Sequence, residues 1–138
     1  MFYPLKVKEI RKETADCVSI AFELSEDQKN DFHYVQGQYL TFKKSINGEE
    51  LRRSYSLCSS PHADSELRVA VKKVENGRFS SYANTELKEG DVLESMKPMG
   101  NFYPSLDASN SKTYLMIAAG SGITPIFGII KSILKLEP

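Results

Sequence analysis

Residues 39–57, YLTFKKSINGEELRRSYSL, read as two strands folded about one turn. Asn47-Gly48 is the strongest short hairpin signal a sequence offers, and Tyr39–Lys44 and Leu51–Leu57 flank it with strand-like residues. Upstream, Leu5–Thr14 and Cys17–Leu24 alternate apolar and polar side chains. Leu67–Val74 (LRVAVKKV) and Val92–Met96 bring the set to about six short strands by periodicity. A helix-like piece, Ser80–Leu87, sits among them after Gly77. Short strands punctuated by turns predict an all-β fold, a small closed antiparallel barrel rather than a parallel sheet.

The second arm of the hairpin carries chemistry. Side chains repeat every two residues along a strand, so Arg53 and Tyr55 share a face. Ser56 points the other way unless a bulge or strand end re-aims it. A guanidinium suits a diphosphate, an aromatic ring can cover an aromatic cofactor, and a hydroxyl such as that of Ser54 or Ser56 can bond a heterocycle nitrogen. Downstream, Gly77-Arg78-Phe79-Ser80-Ser81 runs a glycine turn into a helix. Free backbone N–H groups and the positive end of the helix dipole make that an anion seat, although ordinary capping has the same signature.

Composition narrows the class. At 138 residues the chain suffices for one ordinary domain, and 18 basic residues balance 18 acidic ones. Zero formal charge, with basic and aromatic residues unclustered, argues against nucleic acid or an anionic membrane surface as partner. His33, His62, Cys17 and Cys58 show no metal-ligand spacing, and two reduced thiols fit better than a disulfide. Cys58 reads as a small buried hydrophobe and His62 as an exposed loop residue. No charged-then-apolar leader and no membrane-length apolar run is present, which predicts a soluble, cytoplasmic protein.

The character changes at the polar stretch Ser105–Lys112, dividing the chain into a barrel over 1–104 and a second unit over 105–138. Tyr114–Ala119 (YLMIAA) is apolar throughout, as a strand buried on both faces of a parallel sheet would be. Gly120-Ser121-Gly122-Ile123-Thr124-Pro125 follows, and then Ile126–Leu136 at helical spacing, with Ile126, Ile129, Ile130, Ile133 and Leu134 in one stripe. Thr124 is placed to cap this helix and Pro125 to occupy its first turn. The glycines would let a backbone approach a phosphate, but Pro125 replaces the third glycine of a dinucleotide fingerprint. One strand-turn-helix unit cannot cover its own faces, so the chain reads as a fragment of a longer protein. Such a surface frays, aggregates or is buried by a second copy in a homodimer. Gly37-Gln38-Tyr39 and Pro98-Met99-Gly100-Asn101-Phe102 read as barrel corners, with Phe102 or Tyr103 closing one end as core.

Together these residues resemble the ferredoxin–NADP⁺ reductase superfamily, in the branch of oxygenase-associated NAD(P)H reductases that includes phenylacetyl-CoA oxygenase reductase components. The matching residues run in the family's order. They are His33–Tyr39, the Arg53-x-Tyr55-Ser56 motif, Val71-Lys72, Gly77-x-x-Ser80, Gly90-Asp91, Pro98-x-Gly100-x-Phe102 and Ala119–Pro125. The resemblance implies a six-stranded Greek-key flavin barrel with one small helix, followed by the start of an NAD(P)-binding domain. It implies FAD in preference to FMN, since the Gly77–Ser81 helix start offers a second phosphate seat. NAD(P)H would be the substrate of the intact protein, and a ferredoxin-like domain or oxygenase component its partner. A 2Fe–2S cluster would belong to a missing domain, because its cysteines are absent here. Arg53 would hold the diphosphate, Tyr55 would lie against the flavin, and Ser56 would stand at its reactive edge. Val71, Lys72, Gly77, Phe79, Ser80 and Ser81 would complete the phosphate seat, and Thr124 would approach the flavin from the second domain. Ser56 and Thr124 are the two placed nearest the chemistry. The other reading is a flavin-binding regulatory or electron-transfer subunit without its own hydride chemistry.

Overall fold

The turn at Asn47-Gly48 forms as its residues demand. In the computed structural model, which describes residues 1–138, both adopt positive φ, 51° and 78°. That combination suits a two-residue hairpin turn whose twist matches its strands. It sets the register of β3 (Tyr39–Ile46) against β4 (Glu49–Ser56), from Ile46↔Glu49 through Phe42↔Arg53 to Tyr39↔Ser56.

The other strands are β1 (Tyr3–Thr14), β2 (Cys17–Glu23), β5 (Leu67–Lys72) and β6 (Val92–Ser95). All pairings are antiparallel, and the six-stranded sheet runs β4-β3-β6-β1-β2-β5. The last strand in sequence thus inserts between β3 and β1, the crossover of a Greek-key barrel. The two outermost strands meet at a single bridge, Leu57↔Val69. Beyond it, toward Arg53 and Lys72, the edges of β4 and β5 stay unpaired.

Alternate residues of these strands fill the interior, including Leu5, Val7, Ile20, Phe22, Leu40, Phe42, Leu51, Val69, Val71 and Leu93. Helix α2 (Arg78–Thr85) plugs one end with Phe79 and Ala83, both fully buried. Phe79 stacks on Phe42 at 6.1 Å between centroids. Outside the barrel, buried Arg68 donates to Glu66, Ser19 and Glu9. A short helix, α1 (Glu26–Asp31), goes beyond the sequence expectation. It buries nothing and is held at its start by the Ser25 amide donating to Gln28 Oε1 at 3.1 Å.

The C-terminal third departs most from expectation. Tyr114–Ala119 forms no strand, and Leu115 and Ile117 are 88% and 84% exposed. An apolar segment becomes a strand only beside another strand, and Tyr114–Ala119 lies along none. Phe102 and Tyr103 are exposed as well and do not close the barrel. A 3₁₀ turn, Gly120–Gly122, leads into α3 (Ile123–Leu136). Thr124 lies inside this helix rather than capping it, and its hydroxyl donates to the Ser121 carbonyl at 2.9 Å. The predicted stripe is only partly used: Ile126 and Ile129 are buried, whereas Leu134 is 77% exposed.

What α3 does cover is the barrel. Gly128 passes so close to residues 57–59 that an added Cβ would stand 2.8 Å from the Ser59 carbonyl oxygen. The Ser132 and Ser60 hydroxyls are 2.7 Å apart, and Lys131 pairs with Asp64. Tyr114 and Asn110 tie the preceding segment to Glu137.

Partial burial pushes the Asp64 carboxyl up, but the Lys131 ammonium and the Ser60 amide outweigh it and hold the group below its ordinary value. A carboxyl with a depressed folded pKa stabilises fully above the aspartate range of about 4 and loses that contribution as pH falls through its folded value. Acidification below about pH 4 is therefore expected to loosen α3. Urea midpoints measured down the pH scale for the parent and Lys131→Met check this. The parent should lose its advantage in acid, and parallel curves would remove Asp64 from the docking.

Candidate functional site

The gap between β4 and β5 is the mouth of a cleft of about 790 Å³, within the range usual for small-molecule sites. Arg53 and Tyr55 stand opposite Phe42 and Leu40, both buried, so their parity points them to the barrel's inner face. Where the sheet opens, that face meets solvent. Tyr55 backs onto Phe79 at 5.6 Å and Phe42 at 6.3 Å, which leaves part of its ring toward the cleft. Burial pushes its phenol up, against a smaller opposing pull from Arg53. The Arg53 guanidinium is exposed, and its bond is to the Arg52 carbonyl at 2.8 Å, with no carboxylate partner. Ser56, the last residue of β4, lines the same cleft, as strand ends permit. Ser54 also reaches it, while its hydroxyl shares a 2.8 Å bond with Thr41.

Across the gap stand Ala70 and Lys72 of β5 and the start of α2. The first intrahelical bond of α2 is Ser81 N to Gly77 O at 3.0 Å, so the amides of Arg78, Phe79 and Ser80 precede it without helical partners. Gly77 is required there for space: a Cβ would lie 2.3 Å from Ser80 Oγ and 2.5 Å from Val74 Cγ2. The Ser80 hydroxyl is engaged locally, accepting from the Val74 amide at 3.2 Å. Val71 points into the core and Ser81 lies outside the residues that line the cleft. Phe79 forms the floor. Gly120, Ser121, Ile123 and Thr124 close the far side, held in place by α3's seat on residues 57–60.

One wall escapes the sequence reading. The β1–β2 hairpin brings Glu13, Thr14, Asp16 and Cys17 to the cleft because Cys17 pairs with Lys72, more than fifty residues away. Burial first, then Glu13 and Asp16, push the Cys17 thiol up, which keeps it a neutral wall residue. Arg78 is a further lining residue, in ion pair with Glu49. No cluster of His, Cys, Asp and Glu comes together that could hold a metal ion, and no helix is long and apolar enough to cross a membrane.

The cleft therefore combines an unpaired guanidinium, open helix amides, a second cation and an aromatic face, the fittings for a molecule with phosphates and a flat ring. Comparison with known proteins agrees. One of the subunits of 1,2-phenylacetyl-CoA epoxidase from Escherichia coli (strain K12) is 44% identical over 137 residues, 99% of this chain and 38% of that protein. The ferredoxin reductase component of 3-ketosteroid-9-alpha-monooxygenase from Rhodococcus rhodochrous is 39% identical, over 94% of this chain and 36% of its own length. The chain thus spans less than two fifths of these curated relatives. Among solved structures, phthalate dioxygenase reductase superposes with a TM-score of 0.76 at 30% identity, covering 96% of this chain and 40% of that one. A ferredoxin NADP⁺ reductase from Neisseria gonorrhoeae shares the fold at a TM-score of 0.76 and 22% identity, over 94% of this chain and 50% of that one. Residues 4–103 match the family described as the oxidoreductase FAD-binding domain, and the chain belongs to that family.

Proposed function

We propose that this chain is the flavin-holding part of a cytoplasmic NAD(P)H-dependent reductase whose FAD passes electrons to an iron–sulfur carrier or an oxygenase component. The observation that carries the reading is the convergence of Arg53, Tyr55, Ser56, Lys72, the α2 amides and Thr124 on one cleft. When bound, FAD supplies the conversion of a two-electron hydride into single electrons. The residues supply placement. Arg53 and the open amides of α2 hold the diphosphate, the guanidinium by charge-assisted bonds and the amides by the positive helix end. Tyr55, braced by Phe42 and Phe79, offers a fixed face to the flavin or its ribityl chain. Ser56 and Thr124, which both line the cleft, would stand at the flavin's edge. Residues 105–138 are the beginning of the nicotinamide domain, and exposed Leu115 and Ile117 are surface for its further strands. Two free thiols suit a reducing compartment.

The purified chain should take up one FAD and turn yellow. Arg53→Ala should weaken FAD binding by about 1.5–3 kcal/mol, the scale of a charge-assisted hydrogen bond. Circular dichroism should not change, because the side chain faces ligand and not core. Fluorescence titration followed by gel filtration measures both. A folded but colourless parent sinks the assignment. Stopped-flow bleaching by NADH then tests the division of labour: the flavin-loaded chain should reduce slowly, and a longer chain carrying the rest of the nicotinamide domain should reduce fast. A longer chain that binds NADH yet leaves the flavin oxidised would instead make this a binding or electron-transfer subunit.

A further inference from the structure

Arg78 is the first residue of α2 and lines the cleft, yet its guanidinium is already engaged: Nη1 donates to Glu49 Oε2 at 2.6 Å. Glu49 opens β4 and shares parity with Leu51, Arg53 and Tyr55, so it stands on the cleft-facing side of its strand, just beyond the lining residues. Both partners are open to water, their side chains 43% and 60% exposed. The bond from Arg78 holds the Glu49 carboxyl below its ordinary value, and Arg53 adds a smaller pull. A single carboxylate therefore sits within the field of two cations beside the start of α2. Exposed ion pairs are weakly held. A guanidinium's planar fork, by contrast, matches two oxygens of a phosphate at once, and a diphosphate brings more negative charge than one carboxylate.

We infer that Arg78 is a stored ligand for the cofactor's diphosphate, parked on Glu49 in the free protein and released into the cleft beside Arg53 when the cofactor enters. Glu49 is then an internal competitor that sets the affinity. The inference rests on reading the cleft as a flavin site and deepens it, because it assigns selection of the phosphate-bearing half of the ligand to a named pair.

The test is titration of the 138-residue chain with FAD and with riboflavin, which has the same ring and no phosphate. Arg78→Ala should weaken FAD by about 10-fold or more and leave riboflavin within about two-fold. Glu49→Gln should tighten FAD by about two- to five-fold, and that gain should vanish when Arg78→Ala is added. The dependence of FAD affinity on salt should become shallower in Arg78→Ala, one cation having been removed. An Arg78→Ala chain with parental FAD affinity, or one that loses FAD and riboflavin equally, overturns the inference while leaving the flavin site standing. Unchanged or weakened FAD binding by Glu49→Gln overturns the competitor role. A parent that binds neither flavin removes the site and the inference together.

Discussion

Phe42→Ala is expected to destabilise the domain by about 3–5 kcal/mol, the usual cost of emptying a large aromatic site in a packed core. Phe42 is fully buried and touches three other rings: Phe22 at 5.4 Å, Phe79 at 6.1 Å and Tyr55 at 6.3 Å. It is also opposite Arg53 in the β3–β4 register. Such a loss is a large fraction of a typical domain's total stability. It should carry a functional signature too, because Tyr55 loses the support that orients its ring. Urea unfolding followed by circular dichroism gives the stability, and FAD titration at a temperature where the variant stays folded gives the affinity. Phe42→Leu should recover most of the stability and little of the affinity, since it fills volume without a flat face. Parental affinity in a folded Phe42→Leu variant would show that Tyr55 needs no aromatic backing.

Gly37→Ala should be nearly as damaging, at about 2–5 kcal/mol, for two additive reasons. Its φ of +94° lies where a side chain is strained. An added Cβ would also fall 2.0 Å from the Phe102 carbonyl oxygen and 3.3 Å from Ile129 Cδ1. Three segments meet at that point: the loop before β3, the strand exit around Phe102, and α3. Displacing them should shift Thr124 and lower flavin affinity along with stability. Gly48→Ala is the matched comparison, since it shares the positive φ (+78°) but nothing lies within 4 Å of its Cβ. It should cost only about 1–2 kcal/mol. Equal urea midpoints for the two variants would mean that the crowding at Gly37 relaxes freely.

How far such features can be read from sequence follows from how local they are. All six strands lie within two residues of the periodic segments, because burying one face of a strand writes a period of two into the chain. The pairing of Arg53 with Tyr55 is readable for the same reason. Helix α1 buries no residue and so leaves no periodic trace; only the Ser25–Gln28 spacing marks it. Tyr114–Ala119 misleads because an apolar run reports a preference for burial, not the presence of something to be buried against. Glu13, Asp16 and Cys17 come to the cleft through the register of β2 on β5, and Glu49 meets Arg78 across 29 positions. Such juxtapositions are properties of the closed barrel. No window of sequence contains them.

The seam between β4 and β5 has a consequence for how the protein survives in a cell. Two strand edges with free donors and acceptors are a template for pairing with another chain, and here they flank the cleft itself. A ligand lying between them stabilises the folded state in proportion to the logarithm of its concentration over its dissociation constant, and it also screens both edges from foreign strands. Cofactor supply would then govern the lifetime of the polypeptide as well as its colour. Under flavin starvation, aggregation and proteolysis should begin at this seam, with hydrogen exchange quickest at the seam-facing amides of Ser54 and Ser56.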